Sequence, residues 1–190
     1  TVLIRWKNLF LKLRKKFLLL HYLKKSRPDW GIKLNNDLDF VKDKYYWIVD
    51  SLNGRFNFLH GLPHFAISVS VELNNEILST VIFDPIRDEF YFAEKGKGSF
   101  QNDRRIRVSK RNKLKSCVFS IFDENTLDNK NPLKNYFEKV NLLSYQSSSV
   151  IRSFGSSALN FAWLASGKID CLFVNKPVSY THLTLPTRLM

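Results

Sequence analysis

The feature that most constrains this fold is a run of short strand patterns between residues 65 and 108, broken at close intervals by turn chemistry. Apolar and β-branched stretches at 65–73, 77–83 and 89–93 are separated by Asn74-Asn75 and Asp84-Pro85, and Lys95-Gly96-Lys97-Gly98 leads to a further short strand at 106–108. Connections this short join neighbouring strands as hairpins, so the segment predicts an antiparallel meander. Upstream, Tyr45-Tyr46-Trp47-Ile48-Val49 has the aromatic and β-branched composition of a buried strand, and Asp50-Ser51-Leu52-Asn53-Gly54 has that of the turn ending it. Helices are expected at 132–140 and 156–166, the second closed by Gly167 and followed by an apolar strand at 169–174. Strands in the middle with helices around them imply an α/β (α+β) protein built in layers.

The net charge of +13 invites a polyanion partner, but most of it is local. Residues 1–27 hold nine Lys/Arg and no acid, whereas 28–177 hold 20 basic and 17 acidic residues. Leu9, Leu13, Phe17, Leu20 and Leu23 recur at helical spacing within 2–25, and Ser26-Arg27-Pro28-Asp29 stops the helix. Its apolar face suits packing, and its charge would also suit RNA or an anionic surface. A second basic cluster, Arg104, Arg105, Arg107, Lys110, Arg111, Lys113 and Lys115, fits a solvated face as well as an anionic partner. Charges run through the N-terminal apolar stretch instead of preceding it, unlike a secretory signal, and no apolar run is long enough for a transmembrane segment. Cys117 and Cys171 lack metal-ligand spacing and are expected to be reduced core residues of a cytoplasmic protein. His60 and His64 flank a Gly-Leu-Pro turn and are expected to be structural; Ser153, Ser156 and Ser157 have no partnered base.

The chemistry concentrates at 47–58. A buried strand delivers the Asp50 carboxylate to a sheet edge, and the following turn offers backbone carbonyls and a glycine that lets a phosphate approach closely. Oxygen ligands on a turn suit Mg²⁺. Taken alone, an Asp ending a strand before a turn is more often structural.

Asp50-Ser51-Leu52-Asn53-Gly54-Arg55-Phe56-Asn57-Phe58 resembles the inositol monophosphatase signature Asp-Pro-(Ile/Leu)-Asp-Gly-Thr-X-Asn-Phe. The resemblance extends through His60-Gly61-Leu62-Pro63-His64-Phe65-Ala66-Ile67-Ser68, Phe83-Asp84-Pro85-Ile86-Arg87-Asp88-Glu89 and Lys95-Gly96-Lys97-Gly98-Ser99-Phe100. It continues in Arg152-Ser153-Phe154-Gly155-Ser156-Ser157-Ala158-Leu159-Asn160. It implies a layered α/β/α/β/α sugar-phosphatase-type fold and Mg²⁺-dependent hydrolysis of a phosphate monoester such as an inositol phosphate, with water activation and charge neutralisation by metal. A homodimer is consistent with it, and so is a non-catalytic scaffold associated with RNA or the transcription machinery, as in some bacterial relatives.

Carried over position by position, Asp50, Asn53 and Arg55 fall on catalytic places of the signature. Asp50, the Leu52 carbonyl, Asn53 and Asn36 fall on metal-ligand places, and Gly54, Arg55, Gly155, Ser156 and Ser157 on substrate-binding places. The departures are substantial. Asn53 stands where the signature has aspartate and Arg55 where it has threonine; the paired glutamates expected after Pro28-Asp29-Trp30-Gly31 fall on Asn35 and Asn36, and the polyol-contacting glutamate falls near Val174. The Trp-Asp block that brings the last metal ligand is expected after Pro177, where the sequence does not match it. A unit charge pair at about 4 Å contributes roughly 4 kcal/mol at an effective dielectric near 20, and a divalent ion about twice that. Losing several carboxylates therefore predicts weak metal binding and impaired or absent catalysis. The expected organisation is a basic N-terminal helix at 1–27, a partial domain of this type at 28–177, and a non-native tail at 178–190 that resembles translated sequencing-adapter read-through.

Overall fold

The computed structural model describes residues 16–34, 41–122 and 150–174, together with positions 138, 141, 142 and 145. Its centre is a seven-stranded sheet whose spatial order follows the chain: β1 (Gly31–Lys33), β2 (Tyr45–Asn53), β3 (Ala66–Leu73), β4 (Glu76–Asp84), β5 (Glu89–Glu94), β6 (Gly98–Gln101) and β7 (Arg104–Arg105). From β2 onward every pairing is antiparallel, the expected meander; β1 joins β2 in parallel. Turn chemistry explains the register. Asn74 and Asn75 both take left-handed φ, of 52° and 62°, as a two-residue hairpin turn between twisted strands requires.

Alternation along the strands sorts side chains to two faces. On one face Trp47 and Val49, Val69, Val81 and Phe83, and Phe90 pack under Leu19 and Leu23 of helix α1 (Lys16–Ser26). The opposite face carries the other parity. Ala66, Ile82 and Tyr91 there meet Ala158, Leu159, Phe161 and Ala162 of α3 (Ser157–Ala165). Small residues let this helix lie close, and the neighbouring hydroxyls of Ser70 and Thr80 hydrogen-bond each other across β3 and β4. The far side of α3 meets Leu172 and Val174 of β10 (Cys171–Val174), which belongs to a second, all-parallel sheet in the order β10, β8 (Val118–Phe122), β9 (Val150–Arg152). The described layers are therefore helix, sheet, helix, sheet.

Several elements differ from expectation. The strand expected at 106–108 is instead β7, two residues earlier, because Asn102 and Asp103 adopt left-handed φ and turn the chain back at once. Strand β2 runs to Asn53 instead of ending at Asp50. The helix expected at 156–166 is α3, with Ser156 as N-cap and Gly167 beyond its end at φ 73°. The strand expected at 169–174 begins at Cys171. Most of the helix expected at 132–140 lies outside the described residues, Glu138 alone being described there and helical. The helix expected over 2–25 is described from Lys16 only, and the tail at 178–190 lies outside as well. Cys117 is buried and Cys171 half-buried, both free.

Candidate active site

An irregularity in β2 builds the centre of the site. Asp50 pairs with Ser68 and Asn53 with Ala66, so three steps on β2 oppose two on β3. This extra residue is a β-bulge. In a regular strand residues three apart point to opposite faces; the bulge restores the parity and puts Asp50 and Asn53 on the α3 face together. Their side chains meet there, Asn53 Nδ2 donating to Asp50 Oδ2 at 3.0 Å. Asp50 Oδ1 accepts from the Leu52 amide at 3.1 Å, closing an Asx-type turn over the bulge.

Asn53 reaches from there to the start of α3. Its Oδ1 accepts from Ser156 Oγ at 2.7 Å and from the Ala158 amide at 2.9 Å, while Nδ2 also donates to Ser157 Oγ at 3.1 Å. Asn53 is 6% exposed, and Ser156 and Ser157 are wholly buried. Gly54 follows at φ 88°, and a Cβ there would lie 2.9 Å from the His64 carbonyl oxygen and 3.1 Å from Ser156 Cβ. Only glycine allows both the conformation and the approach.

A second join lies beside the first. In the short helix α2 (Arg55–Leu59) the buried Asn57 donates through Nδ2 to the carbonyls of His64 at 2.7 Å and Phe154 at 2.6 Å. Gly155, at φ 79°, packs on that amide so tightly that a Cβ would come within 2.8 Å of it. Of the residues singled out from sequence, Asp50, Asn53, Gly54, Gly155, Ser156 and Ser157 are thus brought together. Arg55 is exposed at the head of α2, Leu52 turns its amide to Asp50, Val174 ends β10, and Asn36 lies outside the described residues.

Asn57 and Asp84 went unassigned from sequence. The signature position of Asn57 was the available sign. Asp84, fully buried, accepts from the Ile86 and Arg87 amides at 2.9 and 3.1 Å and from Arg87 Nη1 at 2.7 Å, holding the corner after β4. His64 is buried between Phe154 and Trp163, ring centroids 5.3 and 4.7 Å away, and burial first, then the Arg87 charge, lowers its pKa.

The donor set that the described residues bring to this join does not fit Mg²⁺. Among the described residues Asp50 is the one carboxylate at the join, and both lone pairs of Asn53 Oδ1 are already engaged by protein donors. Among the described residues no group of three His, Cys, Asp or Glu side chains could hold a metal ion.

A family model for the inositol monophosphatase family matches residues 25–180. The chain belongs to this family. It is 39% identical over 150 residues to the inositol-1-monophosphatase of Rhizobium meliloti, covering 78% of this chain and 55% of that protein. It is 36% identical over 162 residues to the Nus factor SuhB of Buchnera aphidicola subsp. Schizaphis graminum, covering 82% of this chain and 57% of that one. The crystal structure of extragenic suppressor protein suhB from Bartonella henselae superposes with a TM-score of 0.77 at 33% identity, over 89% of this chain and 64% of that one. The chain thus spans little more than half the length of these curated relatives. Within the inositol monophosphatase family signature, the bulge holds the first acidic position, Asp50, and the amide that replaces the second, Asn53.

Proposed function

We propose that this chain is an inositol-monophosphatase-type phosphate-monoester protein of the cytoplasm in which Mg²⁺-dependent hydrolysis is impaired. The observation that carries this is the state of Asn53: its acceptor oxygen serves Ser156 and Ala158, and its nitrogen faces Asp50. A hard dication needs several free oxygen donors, preferably anionic, and this join offers one carboxylate. Gly54 and the 155–157 turn fall on the substrate-binding places of the family signature, and Gly54 packs closely on Ser156. A polyol phosphate is therefore the substrate class this reading carries, with Arg55 adding a cation beside them in sequence. Calorimetry with Mg²⁺, run beside phosphate release from inositol 1-phosphate and 2-glycerophosphate, tests the proposal. Heats without saturation below millimolar Mg²⁺, and release at background, are expected. A low-micromolar dissociation constant or Mg²⁺-dependent turnover would refute it.

A second function is favoured by a different observation. Arg104, Arg105, Arg107, Lys110, Lys113 and Lys115 are exposed, and within this cluster only Arg111 is ion-paired among the described residues, with Asp170 at 2.7 Å. Together with the relationship to a Nus factor, this supports a non-catalytic partner of RNA or of the transcription machinery. Binding of a labelled single-stranded RNA that weakens steeply with salt is the expected sign; affinity indifferent to salt contradicts it.

A further inference from the structure

The join between β2 and α3 depends on the orientation of one amide, and its neighbours fix that orientation. The Ala158 N–H can only donate, so the atom it meets at 2.9 Å is Oδ1. A carboxylate oxygen accepts, so the atom 3.0 Å from Asp50 Oδ2 is Nδ2. With Ser156 Oγ donating to Oδ1 and Ser157 Oγ accepting from Nδ2, the amide's two donor hydrogens and two acceptor lone pairs are all satisfied. A carboxylate at this position would set oxygen against oxygen at the same separation from Asp50, and a part-buried like-charge pair of that kind needs a cation or a proton between its members.

We infer that Asn53 makes this site independent of metal for its folding: one of its amide hydrogens stands where an aspartate at this position would need a cation or a proton between itself and Asp50. The cross-link from β2 to α3 is then complete in the protein alone. This goes beyond impaired hydrolysis, because it assigns Asn53 a structural duty that an acidic residue could perform only with a cation or a proton between it and Asp50. The duty is local and heavily buried, since Asn53, Ser156 and Ser157 are all buried and Gly54 packs against Ser156.

Thermal unfolding of the full chain, in excess EDTA and in millimolar Mg²⁺, tests this, with Asn53→Asp and the exchange Asp50→Asn/Asn53→Asp as variants. The wild-type protein is expected to melt at the same temperature in both conditions. Asn53→Asp should melt about 5–10 °C lower in EDTA and recover part of that loss in Mg²⁺. The exchange restores one carboxylate and one amide with every hydrogen bond available again. The carboxylate then at position 53 would accept from the amide at position 50, from both serine hydroxyls and from the Ala158 N–H, while the oxygen of that amide accepts from the Leu52 N–H. The exchange should melt close to wild type with or without metal. If Asn53→Asp folds too poorly to melt, the exchange decides alone: recovery supports the inference, and an exchange no better than the single variant overturns it. It is equally overturned if Asn53→Asp matches wild type in EDTA or ignores Mg²⁺, or if wild type gains as much from Mg²⁺ as Asn53→Asp does. Turnover decides the function proposed above, whereas melting decides this, so the two can fail separately.

Discussion

Asn57 shows how a residue outside the chemistry can hold the candidate site in place. Its Nδ2 ties the carbonyl of His64 to that of Phe154, and Gly155 closes over the amide. Truncation by Asn57→Ala leaves one buried and one half-buried carbonyl short of a donor, at about 1–3 kcal/mol for each group and less for the half-buried one. We expect a loss of roughly 2–4 kcal/mol in urea unfolding, with the slope unchanged. A loss below about 0.5 kcal/mol, the size of an ordinary surface substitution, would show that water satisfies those carbonyls. The positions of Asp50, Asn53 and Gly54 were legible in sequence, because they share one nine-residue signature. The duties of Asn53 and Asn57 were not. Their partners lie around 154–158, roughly a hundred residues on, and only the folded chain brings them near.

At the scale of elements, legibility followed length and punctuation. Strands β3, β4 and β5 alternate over six to nine residues between clear turn signals, and were placed within a few residues of their bounds. Strands β1 and β9 have three residues each and α2 has five, too few for a period to register. Strand β8, Val118–Phe122, is a short apolar run that pattern alone cannot assign, and its parallel partners are remote in sequence. The bulge in β2 was read as the end of the strand, because a bulge and a turn use the same polar residues. One side chain fastens the second sheet to the connector before it. Asp170 accepts from the Val118 amide at 2.8 Å and from Arg111 Nε at 2.7 Å. Burial alone would raise its pKa, but hydrogen bonds from Ser109, Val118 and Arg111 outweigh this and hold it below the ordinary carboxylate range. Asp170→Ala should therefore lower stability by about 2–3 kcal/mol, since it leaves the Val118 N–H without its acceptor. Asp170→Asn, which keeps an oxygen for that N–H, should lose about half as much. Equal losses in calorimetric melting would assign the effect to the Arg111 charge pair instead.

At the scale of the whole molecule the basic excess is largely unpaired, but where the sheet meets the end of α3 charge is managed by pairing, with one exception. Arg87 and Lys168 both stand over the Trp163 ring, 5.2 and 5.5 Å from its centroid, each with its own acid: Asp84 for Arg87 and Glu89 for Lys168. His64 sits against the same ring and, among the described residues, is the one titratable group there that lacks an acid of its own, with Nε2 buried and without a hydrogen-bond partner. Burial and the nearby Arg87 lower its pKa from 6.5, against weaker opposing contributions from Asn160 and Asp84. The sign follows directly. In the unfolded chain His64 takes a proton near pH 6.5, while in the folded chain it stays neutral to lower pH. Between those values the unfolded state binds more protons, so stability is complete above about pH 6.5 and declines as pH falls. The lowered carboxyls of Glu89 and Asp170 act in a separate window: their contribution persists above the ordinary carboxylate values and is lost only as pH falls through the depressed ones. His64→Phe keeps a ring against Phe154 and Trp163 and removes the titration. Urea unfolding from about pH 7 to about pH 5 should then show a sloping wild type and a flat variant, with the two falling together below about pH 4 as carboxylates protonate. Parallel slopes over that range would mean that another group drives the acid limb, and that His64 is reached by water before the fold is lost.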